Sequence, residues 1–172
     1  LLIRTKWLDE EITRLAPQVD QLIILGAGYD TRGFRLTLPP KDRFQVWEVD
    51  QPEVQVQKIA NMERVSLTDD HVAQLMVNKY VKFVPVDFNS NSVEEKLKLA
   101  DGFTVGKKPL VVLEGVSQYV PRDSMADTLQ KLKGVVGTGS ILMMSYVDQN
   151  VLDDPAKVGP IKSCNNLLNI SK

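Results

Sequence analysis

Acids and glycines stand where the apolar runs of this chain end, and that placement is its clearest chemical signal. Leu22-Ile23-Ile24-Leu25 gives way to Gly26-Ala27-Gly28-Tyr29-Asp30-Thr31-Arg32, and Phe44-Gln45-Val46-Trp47-Glu48-Val49 closes on Asp50. Asp87 follows Val86, and Glu114 follows Leu110-Val111-Val112-Leu113. Glycines let backbone approach a ligand closely, and an acid ending the next strand, roughly 20 residues on, holds ribose hydroxyls. A Gly-x-Gly pair alone says little. With Asp50 behind it, the pattern reads as a nucleotide pocket.

Two ligands compete for that pocket. A dinucleotide fingerprint wants a third small residue three positions after the second glycine, where this chain has Thr31. Asp30 beside it would oppose a pyrophosphate, which prefers a helix N-terminus free of carboxylate. A ligand with ribose, adenine and a sulfonium but no phosphate tolerates an acid-lined crevice better. S-adenosylmethionine is such a ligand and is the favoured one, with an NAD-dependent oxidoreductase as the alternative. A structural zinc site is excluded, because the chain holds one histidine, His71, and one cysteine, Cys164.

The elements that must position these residues follow from periodicity and from turn signals. Leu8, Ile12 and Leu15 mark a helix over 4–15, which Pro17 ends before the first strand. Asp30 or Thr31 supplies the capping oxygen of a short helix after the glycines. Pro52 opens a helix through about Met62, and another starts near Thr68 with Val72, Leu75 and Met76 on one face. The third strand runs from Tyr80 to Val86, with Pro85 marking a sheet edge. Ser92 and Glu95 form a capping box for a helix that stops by Gly102. Leu110–Leu113 is the fourth strand, Pro121 starts a helix closed by Gly134, and Ser140 to Tyr146 make the fifth strand.

That succession is α/β, a doubly wound parallel sheet of Rossmann-like type. The first and fourth strands are the most uniformly apolar and so central, which gives the order 3-2-1-4-5. Gly26, Asp50, Asp87 and Glu114 then converge at the carboxyl ends of the strands, beside the topological switch.

At 172 residues and 43% hydrophobic, the chain suits one compact domain, assigned to 1–147, with a polar extension over 148–172. A net charge of −1 without a basic run makes a nucleic-acid partner unlikely by this reading. No apolar run is long enough for a membrane span, and the lone cysteine fits a reducing, cytoplasmic setting. The chain opens on Leu1, so its natural start is expected upstream.

Leu25–Arg32 with Arg35, Glu48-Val49-Asp50-Gln51-Pro52, Val86-Asp87 and Glu114-Gly115 with Tyr119 together resemble the leucine carboxyl methyltransferase family. These motifs are ordered and correctly spaced over residues 4–146. The resemblance implies an S-adenosylmethionine-dependent O-methyltransferase. Its acceptor would be a protein C-terminal carboxylate or a small-molecule acid or alcohol. It implies that Arg4 grips the methionyl carboxylate and that Gly26 and Gly28 contact the cofactor's amino-acid part. Asp50 would accept from the ribose hydroxyls, and Asp87 with the Phe88 backbone would read the adenine amino group. Glu114 would lie near the methionyl end and Tyr119 near the transfer site.

Each residue also has a plainer reading. Arg4 can be a solvated charge, Asp30 a helix cap, Asp87 a strand end and Tyr119 core packing. Arg32 and Arg35 can orient the loop through carboxylates without touching substrate. His71 reads as a surface residue, and Trp7 and Trp47 as packing. A carboxylate acceptor is already ionised near neutral pH and needs no general base, which agrees with the absence of an evident His/Asp pair. The family also carries two further strands. No candidates follow Tyr146, so a fragment or shortened form is expected, and a non-catalytic binding or scaffold role remains the rival to an enzyme.

Overall fold

The computed structural model describes residues 2–40, 42–77 and 81–147. Tyr80, Cys164 and the extension over 148–172 lie outside the described residues. Within them run α1 (Leu2–Leu15), β1 (Gln21–Leu25), α2 (Arg32–Arg35), β2 (Gln45–Asp50), α3 (Pro52–Ser66), α4 (Asp70–Val77), β3 (Val81–Pro85), α5 (Val93–Leu99), β4 (Pro109–Leu113), α6 (Arg122–Leu132) and β5 (Ile141–Met144). The sheet is parallel in the order β3-β2-β1-β4-β5. This is the expected order, with Pro85 at the end of an edge strand.

Side-chain alternation along the strands divides the core into two layers. Ile23, Leu25, Trp47, Val49, Val111 and Leu113 face α5 and α6, meeting Val93, Leu97, Met125 and Leu132. Leu22, Ile24, Val46, Leu110 and Val112 face the other way and cover Leu8, Ile12 and Leu15 of α1. Every residue of β1 and β4 is buried, as the two central strands of a doubly wound sheet require. Trp47 is buried, donates Nε1–H to Gln21 Oε1 at 3.0 Å and meets Phe103 edge-on. Trp7 is 55% exposed on α1, so only one of the two tryptophans packs.

Local signals set most boundaries. Ser92 Oγ accepts the Glu95 N–H at 3.4 Å at the start of α5. Pro121 stands one residue before α6, at its N-cap, while Pro52 is the first residue of α3. β5 is shorter than its apolar pattern. The Ser140 hydroxyl turns back to the Gly137 carbonyl, and the Ser145 hydroxyl accepts the Gly115 N–H at 2.8 Å. Ser145 thereby ties the end of the sheet to the loop after β4.

Candidate functional site

The loop after β1 is held by backbone geometry that only glycine accommodates easily. Gly26 has φ +65°, and a Cβ there would sit 2.2 Å from Val116 Cγ2. Its N–H donates to the Val49 carbonyl at 2.8 Å, fastening the loop to the end of β2. Gly28, at φ +46°, has open space around it, and its N–H donates to Asp50 Oδ2 at 2.5 Å. Asp50 Oδ1 accepts the Gln51 N–H at 2.7 Å. A carboxylate offers about four acceptor directions, so two backbone donors leave acceptor capacity at Asp50.

Two hollows open on either side of Gly26 at the carboxyl end of the sheet. One, of about 240 Å³, is lined by Gly26, Asp50, Phe88, Val116, Tyr119 and Val120 among others. It combines a carboxylate with apolar walls. The other, of about 360 Å³, is bordered by Arg4, Gly26, Asp30, Arg32, Arg35 and Glu114 among others. Its charged lining residues are of both signs, three arginines and two acids.

Arg32 is the hub of the second hollow. Its side chain is 4% exposed, and it reaches Asp9 Oδ1, Asp30 Oδ2 and Glu114 Oε2, each at 2.7 Å. Burial alone would make the guanidinium easier to deprotonate; the surrounding carboxylates outweigh that and hold its pKa above the ordinary arginine value. Arg35 donates to both oxygens of Asp9 at 2.7 and 2.9 Å. Burial tends to raise the Asp9 pKa, but hydrogen bonds from Arg35 and Arg32 win and lower it. The two loop arginines thus orient the site through carboxylates. Asp30 Oδ1 accepts the Arg32 N–H at 2.7 Å, so Asp30 rather than Thr31 provides the oxygen at the start of α2.

Arg4 is half-exposed and donates to Glu114 Oε1 at 2.5 Å. It lines the same hollow as Gly26, which brings Arg4, Gly26 and Glu114 together. Asp50, Phe88 and Tyr119 meet on the other side of Gly26, with Tyr119 67% exposed. Asp87 lines neither hollow. Its Oδ1 accepts from the Asn89 N–H at 2.9 Å and from the Asn89 side chain, and its Oδ2 accepts from the Ser90 hydroxyl at 3.0 Å. Those donors, the Asn89 N–H foremost, lower its pKa. Gly28 reaches the site through its backbone bond to Asp50.

Several supporting residues carried no warning in the sequence. Asp9 lies on α1, where a charge ordinarily faces water. Lys58 of α3 is buried, paired with the buried Glu48 carboxylate, and donates to the Asp30 carbonyl at 2.5 Å. Burial pushes the Glu48 pKa up to about 7, with Lys58 pulling against it and Asp30 and Asp50 adding to it. Gly33 is the close-packing glycine. A Cβ there would lie 2.6 Å from Val81 Cγ2 and 3.0 Å from Val46 Cγ1, so α2 can lie flat on the sheet. The signal for it was present in Arg32-Gly33-Phe34-Arg35, two residues beyond the position where a dinucleotide fingerprint looks.

The fold is similar to that of solved Rossmann-like methyltransferases. An O-methyltransferase family protein from Burkholderia thailandensis matches with a TM-score of 0.55 at 13% identity, covering 94% of this chain and 42% of that one. The apo S-adenosylmethionine-dependent methyltransferase SibL matches with a TM-score of 0.52 at 13% identity, covering 88% of this chain and 37% of that one.

In sequence, the leucine carboxyl methyltransferase family matches residues 1–133, and the chain belongs to that family. The protein named "Putative S-adenosyl-L-methionine-dependent methyltransferase YktD", from Bacillus subtilis (strain 168), is 34% identical over 131 residues, 76% of this chain. A relative of the same description from Mycolicibacterium gilvum (strain PYR-GCK) is 29% identical over 156 residues, 88% of this chain. The chain spans 40% and 48%, respectively, of the length of these two curated relatives.

Proposed function

We propose that this chain carries the cofactor-binding half of an S-adenosylmethionine-dependent O-methyltransferase whose acceptor is a carboxylate. The observation that carries the reading is the pair of unlike hollows meeting at Gly26. On one side, Asp50 has acceptor capacity for ribose hydroxyls, and Phe88, Val116 and Val120 supply apolar surface for a purine. On the other, Arg4 offers a guanidinium to a carboxylate, and Glu114 offers an acid to an ammonium. The donor set fits an adenosyl sulfonium amino acid. It suits a pyrophosphate poorly, because the first amide of α2 is already taken by Asp30.

Bound there, S-adenosylmethionine supplies an electrophilic methyl group. The chain's own residues hold and orient. Asp50 fixes the Gly26–Gly28 loop and the ribose end together. Arg4 exchanges Glu114 for the methionyl carboxylate, and Arg32 keeps Glu114 in place through its second oxygen. Tyr119, exposed at the rim, lies where an acceptor enters. A carboxylate acceptor is already ionised near neutral pH, so the acids and Tyr119 of the two hollows need only position it. Positioning in a site with little water then supplies the main rate enhancement. The acceptor class is a C-terminal carboxylate of a protein or a small-molecule acid, with an alcohol as the second choice. No described helix is long and apolar enough to cross a membrane.

Calorimetry with S-adenosylhomocysteine and NADH, followed by methyl labelling across acids and alcohols, tests this reading. Binding of S-adenosylhomocysteine alone, with label released as methanol by mild alkali, marks a carboxyl ester and supports it. Alkali-stable label marks an ether and moves the acceptor to the alcohols. Binding without any labelling leaves a non-catalytic cofactor-binding role, and NADH binding alone overturns the assignment.

A further inference from the structure

Two consecutive residues of α3 grip two consecutive residues of the glycine loop. Gln57 Oε1 accepts the Tyr29 hydroxyl at 3.2 Å, and Lys58 Nζ donates to the Asp30 carbonyl at 2.5 Å. The Lys58 side chain is 4% exposed, and the Glu48 side chain beneath it is 1% exposed. Its ammonium also lies 5.6 Å from the centre of the Phe34 ring and 5.9 Å from that of Phe83. Glu48 Oε1 has no hydrogen-bond partner, so the pair is fully committed on one side only.

A buried ion pair is a poor source of net stability, because desolvating two charges offsets most of their attraction. Its location suggests another use. Glu48 stands two residues before Asp50 on β2, and the Asp30 carbonyl lies two residues beyond Gly28, whose N–H Asp50 accepts. Lys58 therefore spans the strand that carries Asp50 and the loop that Asp50 must meet.

We propose that Lys58, seated on Glu48, is a positioning residue for the cofactor: by holding the Asp30 carbonyl it sets the distance between the Gly26–Gly28 backbone and Asp50. This rests on the cofactor reading of that loop. Lys58 touches neither hollow and acts only through the loop it holds.

The test compares the 172-residue chain with Lys58→Met, with the double variant Glu48→Gln/Lys58→Met, and with Lys58→Arg. The double variant removes both charges at similar volume and so retains the fold even where the single variant leaves Glu48 unpaired. Each is measured for thermal unfolding, for S-adenosylhomocysteine affinity and for the chemical shift of the Gly28 amide proton. The expected result is a folded double variant that binds roughly tenfold more weakly. Its Gly28 proton shifts upfield as the bond to Asp50 loosens, and Lys58→Arg restores both toward the starting values. A folded double variant with unchanged affinity and an unchanged Gly28 resonance overturns the proposal. Failure of the unmodified chain to bind S-adenosylhomocysteine overturns instead the cofactor reading beneath it.

Discussion

The backbone N–H of Gly28 donates to Asp50 Oδ2 at 2.5 Å, joining the two motifs that the sequence separates by a strand and a helix. One carboxylate thus closes the loop and faces the ligand hollow. Asp50→Ala should weaken S-adenosylhomocysteine binding by about 1–3 kcal/mol, the usual range for charged hydrogen bonds. Titration calorimetry reads this directly, and an unchanged affinity removes Asp50 from the ribose role.

The two loop glycines should respond differently to a methyl group. Gly26→Ala meets Val116 at 2.2 Å in addition to its positive φ, whereas Gly28→Ala meets nothing. Backbone strain at Gly28 should cost about 1–2 kcal/mol. Gly26→Ala should lose that and about 1–3 kcal/mol more from overpacking. Urea unfolding midpoints check the order. Equal losses would show that Val116 yields without cost.

Arg32 and Arg35 are neighbours in sequence with unequal structural duties. Arg32→Met leaves Asp9, Asp30 and Glu114 facing one another around a buried gap, and should destabilise by about 3–5 kcal/mol. Arg35→Met removes a half-exposed contact to Asp9, and should cost about 0–1 kcal/mol. Denaturant unfolding of the two variants at neutral pH separates these values.

Glu48 and Asp9 should imprint opposite pH dependences on stability. Glu48 has a folded-state pKa of about 7 against an ordinary value of 4.5, so the folded form binds its proton more tightly. Its contribution is full below the unfolded value and is lost as pH rises through about 7, at no more than about 1.4 kcal/mol per pH unit. Lys58, Asp30 and Asp50 are the charges that face it. Asp9, whose pKa is lowered, contributes above its ordinary value of 3.8 and loses that contribution as pH falls through its folded value. Unfolding free energies measured from pH 5 to 8 should fall less in Glu48→Gln than in the unmodified chain. Identical slopes would remove Glu48 as their source.

Sheet order and the carboxyl-end acids were legible because they depend on local rules. Unbroken apolar runs marked β1 and β4 as central, and a proline marked β3 as an edge. The glycine turn needed no tertiary information. Lys58 and Asp9 were not legible, for a common reason. A charge on a helix is ordinarily solvated, and only the packed arrangement reveals that Lys58 of α3 is turned inward onto Glu48. Arg4 was legible as a cation near the site, but its partner Glu114 lies 110 residues away and is a tertiary fact. Trp7 and Trp47 show the limit from the other side, since residue type gave the same expectation for one that packs and one that stays exposed.

Asp87 spends its carboxylate on its own turn, on Asn89 and Ser90. Under the proposed cofactor reading, discrimination at the purine edge falls to shape and to main-chain groups around Phe88, which cannot turn around to suit a new partner as a side chain can. Such a pocket would be strict about the outline of the base and lenient about its electronics. Donor analogues with a substituted ring atom but an unaltered silhouette should be accepted, whereas those enlarged at the amino position should be refused.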